Sequence, residues 1–129
     1  MRAGPVGCRG GGGWRRPTLG RMTTNVLQVS TATPTREQAL ALARSAVRAR
    51  LAAGAQILPA TSVFWHDGEF GEGEEWQLLL KTTDARYPEL ERHLLAAHPW
   101  QSPELVAVRV EAGAAGCLRW VEEMTAPEG

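Results

Sequence analysis

"AQILPATSVFWHDGEFGEGEEWQLLLKTT", residues 55–83, decides how the chain folds. Residues 55–66 and 72–83 are both rich in β-branched, aromatic and aliphatic side chains, which suit a pleated surface. Between them lies Asp67-Gly68, the dipeptide signature of a tight turn. The stretch therefore reads as one long hairpin. Pro59 interrupts it, and a proline without an amide proton must occupy an edge or a bulge. About twelve residues per strand at roughly 3.3 Å each span about 40 Å. A compact body of about 100 residues has a radius of gyration near 13 Å, so the hairpin is at least as long as its own domain is wide. Its strands carry Ile57, Leu58, Val63, Phe64, Trp65, Trp76, Leu78, Leu79 and Leu80. A projecting hairpin this apolar should pair with another subunit rather than stand in water. Oligomerisation follows, without the number of subunits.

Working outward, "NVLQVST" (25–31) alternates as a strand. Residues 33–53 form the clearest helix, with Leu40, Ala43, Val47 and Leu51 recurring at helical spacing. Thr35 and Gln38 fit a capping box, Pro34 precludes helix further upstream, and Gly54 suits the C′ position. Beyond the hairpin, residues 87–98 read as an amphipathic helix with Leu90, Leu94 and Leu95 inward. Residues 104–111 alternate as a strand, and 114–124 close the chain as a short helix. The order β-α-β-β-α-β-α contains, in its first six elements, the split-βαβ pattern of an α+β, ferredoxin-like fold. That fold sets two helices on one face of a four-stranded antiparallel sheet and leaves the other face bare unless something covers it.

The chain has 129 residues and no formal net charge, but its charges are segregated. Residues 1–21 hold five arginines, no acid and four consecutive glycines, and too little apolar matter to offset their ordering. They are expected to be a disordered basic tail, an extension upstream of a start at Met22, with the domain over 22–125 and a short tail over 126–129. An export signal needs an apolar core that this segment lacks. All 14 acids lie beyond residue 22 against nine Lys and Arg, so the body is net acidic. An acidic body disfavours nucleic-acid binding, which needs a basic face. No membrane partner is expected either. Cys8 and Cys117 are the only cysteines and show no zinc-ribbon spacing, which suits a reducing, cytoplasmic setting.

Taken together, "PTREQALALARSAVRARLAAGAQILPATSVFWHDGEF", "EEWQLLLKTT", "HPWQSPEL" and "CLRWVEE" resemble the CutA divalent-cation tolerance family, in order from about residue 26 to residue 124. The resemblance implies a ferredoxin-like subunit in a tight homotrimer, with hairpins pairing across subunits. It also implies association with divalent metal ions, notably copper, and no catalytic reaction. Five positions depart from the family pattern. Gly54 replaces a Cys, Phe64 and His66 alter the aromatic pattern before the turn, Trp100 replaces a Tyr after His98-Pro99, and Cys117 replaces a Tyr. A soft thiolate for Cu(I) is thus missing from position 54.

His98 has two readings. It can close the helix, its protonated ring meeting the helix dipole, or it can ligate a metal, as the resemblance implies. Cu(II) or Zn(II) would use neutral imidazole nitrogen with carboxylate oxygen, and Glu74, from the same or another subunit, is the preferred partner. His66 reads as a solvated turn residue, and His93 as a helix-surface residue. The cluster Glu69, Glu72, Glu74, Glu75 reads as a solvated tip with weak cation attraction. Trp65, Trp76, Trp100 and Trp120 are expected in the core or at a subunit contact, and Lys81 at an interface or cleft.

Three other functions compete with metal binding. An acylphosphatase-like enzyme needs a glycine-rich phosphate loop after the first strand, and "STATPTRE" lacks one. A nucleotide-sensing trimer of the PII type depends on a long loop with basic contacts, whereas this turn is short and acidic. A stable scaffold for a partner protein is the remaining alternative.

Overall fold

Seven elements follow one another through residues 24–127, the part of the chain that the computed structural model describes. They are β1 (Val26–Thr33), α1 (Arg36–Arg48), β2 (Gly54–His66), β3 (Glu69–Thr83), α2 (Tyr87–Ala97), β4 (Leu105–Arg109) and α3 (Ala115–Met124). The tail assigned to 1–21 lies outside the described residues. The sheet order is β2-β3-β1-β4, antiparallel throughout. The fold is the expected α+β arrangement, with Pro59 on the edge strand β2 opposite Trp76.

Strand alternation sorts side chains to two faces. Val29, Leu78 and Leu80 point to the helices and meet Leu42, Ala43 and Ala46 of α1 and Leu90 and Leu94 of α2. All of these are buried, and burying each large aliphatic side chain stabilises by about 1.5–3 kcal/mol. The buried residues of α1 are Ala39, Leu42, Ala43 and Ala46; of the expected Leu40, Ala43, Val47 and Leu51, Ala43 is in this stripe and Leu51 is buried just beyond the helix end. Small alanines face the sheet and leave Leu40 and Val47 at the margin of the stripe. Leu95 also departs from expectation and is exposed on the flank of α2.

The start of α1 is as read: Gln38 N–H donates to Thr35 Oγ1 at 3.2 Å, and Thr35 Oγ1 donates to Gln38 Oε1 at 3.0 Å. Its end is not. The helix stops at Arg48, and Arg50 takes the left-handed conformation with φ 60°. Leu51 N–H donates to the Ala46 carbonyl and Arg50 N–H to the Val47 carbonyl, both at 3.0 Å. That pair of bonds is a Schellman closure with arginine where glycine is usual. Gly54, expected at C′, begins β2 instead.

On the opposite face, α3 covers one end of the sheet. Val121 is buried there against Val26 and Ala53, with Val110 and Leu118 beside them. The rest of that face is open, with Leu58, Val106 and Val108 exposed. β1 ends at Thr33 opposite Trp76, so residues 60–75 of the hairpin pair only with each other and project as a two-stranded arm. Asp67 and Gly68 both have positive φ, 53° and 80°, which closes the arm through a two-residue primed turn.

Candidate functional site

His98 sits where α2 meets Pro99. The residue before a proline is pushed to extended backbone, and His98 accordingly has φ −71° and ψ 139°. It is therefore the residue after the helix, not a member of its last turn. Its Nδ1 accepts the Trp100 N–H at 3.1 Å, which leaves the ring proton on Nε2. Nε2 then donates to Thr31 Oγ1 at 3.1 Å, and Thr31 Oγ1 donates to the Glu104 carbonyl at 2.7 Å. This relay ties the end of α2 to β1 and to the approach to β4. The Trp100 ring lies against the imidazole at 5.7 Å between centroids. Burial pushes the His98 pKa below the ordinary histidine value, against a smaller upward pull from the Ala32 carbonyl. The ring is thus neutral near pH 7, which removes the charged helix-dipole reading and leaves an imidazole whose two nitrogens are both bonded within the chain.

Glu74 lies on the arm, where Thr61 Oγ1, its cross-strand partner, donates to Glu74 Oε2 at 3.0 Å. Thr31 faces Leu78 across the ladder, so Glu74 is four residues further along β3, about 13 Å at strand spacing. Nothing joins His98 to Glu74 among the described residues of one subunit. The pleat also divides the carboxylate cluster: Glu72 and Glu74 share one face of the arm, and Glu69 and Glu75 the other. Among the described residues, no three or more His, Cys, Asp or Glu gather closely enough to hold a metal ion.

The remaining candidates are separate from these. His66 is exposed at the turn, its Nε2 3.2 Å from Asp67 Oδ2, as a solvated turn residue should be. His93 reaches from α2 to α1, its Nε2 2.6 Å from Ser45 Oγ. The tryptophans do not enter the single-chain core: Trp65, Trp100 and Trp120 are all exposed to a third or more, and Trp76 is half-buried.

One feature escapes position-by-position reading. Gly54, Lys81, Cys117 and Trp120 line a groove of about 320 Å³ between the open sheet face and α3. A Cβ at position 54 would stand 2.8 Å from Trp120 Cη2, closer than carbon atoms approach. The indole therefore occupies the space that a side chain at 54 would need. The exposed Cys117 thiol lines the same groove. Two departures noted separately in the sequence, the missing thiol at 54 and the added one at 117, are neighbours in space. Their joint departure from the family pattern was the only sequence signal for it.

Residues 27–124 match the family model described as CutA1 divalent ion tolerance protein. The chain belongs to the CutA1 family. A relative from Thermus thermophilus, described as divalent-cation tolerance protein CutA, is 39% identical over 93 residues, 71% of this chain and 90% of that protein. The solved CutA from Xylella fastidiosa superposes with a TM-score of 0.76 at 31% identity, covering 79% of this chain and 99% of that one. A structure from Archaeoglobus fulgidus, described as a periplasmic divalent cation tolerance protein, gives 0.75 at 26% identity over 78% and 98% of the two chains. Among the described residues of this CutA1 chain, no helix is long and apolar enough to cross a membrane.

Proposed function

We propose that this CutA1 chain acts in divalent-metal tolerance, copper above all, as a homotrimer that holds divalent cations in clefts between subunits and catalyses no reaction. The observation that carries this reading is the uncovered apolar surface, Leu58, Val106 and Val108 on the sheet with Val63, Trp65 and Phe70 on the arm. Leu58, Val106 and Val108 lie on the open face of the sheet, and Val63, Trp65 and Phe70 on the other face of the arm. Exposed large apolar side chains in this number support a protein contact. Light scattering on the purified protein is expected to give the mass of three chains. The mass of one chain at micromolar concentration would remove the reading.

Within one subunit the residues do not fit a metal, because both His98 nitrogens are engaged and Glu74 lies apart. The proposed site is accordingly shared, with His98 from one copy and Glu74 from another. His98 must give up either its Thr31 or its Trp100 bond to bind. A neutral imidazole and a carboxylate suit Cu(II) or Zn(II). Titration calorimetry with Cu(II) is expected to lose this binding in His98→Ala and in Glu74→Gln; isotherms identical to wild type would exclude these ligands. The proposed compartment is the cytoplasm, in keeping with the sparse cysteines. Fractionation of cells carrying the tagged protein tests it against the periplasm.

A further inference from the structure

The helical side of the molecule carries a feature that metal tolerance does not use. Arg44 and Arg48 stand four residues apart on α1, one turn along the same side, and both are exposed. Like charges at this spacing repel. Arg86 and Arg109 are neutralised by Glu89 and Asp84, whereas Arg44 and Arg48 have no ion pair among the described residues. With Ser45 and His93 they line a shallow depression of about 630 Å³, and no acid lines it. In a domain whose net charge is negative, this is a local electropositive site.

We propose that this depression, where Arg44 and Arg48 flank the Ser45–His93 pair, binds a ligand bearing a phosphate or diphosphate group. Two guanidinium forks one turn apart can each grip phosphate oxygens bidentately. Ser45 lies between them in sequence, and its Oγ is 2.6 Å from His93 Nε2. When His93 carries its proton on Nε2 and donates it to Ser45 Oγ, the hydroxyl proton is released toward an anion. Phosphate binding therefore selects that tautomer, and His93 acts as a positioning residue. The depression lies on the side of the sheet away from Leu58, Val106 and Val108, so it stays open when that face is covered. It is independent of the metal reading.

The test is calorimetric titration of the full chain with inorganic pyrophosphate, orthophosphate and sulfate at matched ionic strength. Pyrophosphate is expected to bind saturably, one per chain, and more tightly than sulfate. Arg44→Gln/Arg48→Gln is expected to weaken it about tenfold or more, as for loss of charge-assisted bonds. Arg44→Lys/Arg48→Lys keeps the charge but not the fork and is expected to fall between. Both variants change exposed side chains, and an unchanged thermal midpoint checks their fold. Nitrogen shifts of His93 at fixed pH should move toward the Nε2–H form as pyrophosphate is added. Absence of saturable binding, equal affinity for sulfate, or unchanged affinity in Arg44→Gln/Arg48→Gln would overturn the proposal.

Discussion

Strand β3 passes through two environments along its length. From Trp76 to Thr83 it lies between β1 and β2 under two helices, and Leu78 and Leu80 are wholly buried. From Glu69 to Glu75 it pairs only with β2, and Phe70 is 58% exposed beside Trp65 at 74%. The two aromatic rings meet edge to face at 5.9 Å, which is nearly all the shelter the tip provides. A two-stranded ribbon is marginal alone in water. Similar apolar content thus does different work at the two ends. At one end it builds the core, and at the other it stays exposed.

The sharpest way to break this contrast is a matched pair of truncations. Leu80→Ala is expected to destabilise by about 3 kcal/mol, the usual cost of a buried leucine cavity, in denaturant unfolding. Phe70→Ala should leave the fold of the body intact, judged by circular dichroism, and act on the sedimentation coefficient of the proposed assembly. An equal loss from both would show that the arm belongs to the body's core. Next in size, Thr31→Val is expected to cost about 1–2 kcal/mol, because it strands the Glu104 carbonyl and removes one partner of His98 Nε2. The same unfolding curves measure it.

Gly54→Cys restores the thiol usual in the family and should cost about 1 kcal/mol, with Trp120 displaced and its fluorescence changed. An unchanged emission spectrum would contradict the close contact. The smallest effect is acid dependence. The folded-state pKa of His98 is depressed by burial, so its neutral form is favoured in the fold. Its contribution is fully present above the ordinary histidine value, about 6.5, and is lost as pH falls through the lower folded value. Thermal midpoints of wild type should therefore drop on acidification below that pH, and those of His98→Gln should drop less.

The strands and helices were legible because periodicity is local. "DG" between two β-rich runs announced the turn, and Thr35 with Gln38 announced the start of α1. The end of α1 was misread because Gly54 looked like a helix stop, while Arg50 accepted the left-handed geometry. Its face was read only in part: Ala43 and Leu51 are buried as expected, but Ala39 and Ala46 were passed over, although close approach to a sheet favours the smaller side chain. At the candidate site, His98 itself was visible and its partner was not, since Thr31 lies 67 residues away in the chain. The separation of Glu69 and Glu75 from Glu72 and Glu74 was readable by counting odd and even positions along the strand. The tryptophans illustrate a harder limit: bulk and apolarity told that they seek cover, but not which molecule supplies it.

Pro59 has a consequence for how the molecule avoids its own kind. The ladder to β3 runs unbroken past it, so its missing donor falls on the outer rim of β2. Any strand that arrives along that rim finds a gap in the row of amides partway along. Alignments that need a donor there are penalised, which limits sliding and discourages endless sheet growth into fibrils. One ring closure in the backbone thereby acts as a stop against uncontrolled polymerisation, while the rest of the rim stays available for pairing of finite size.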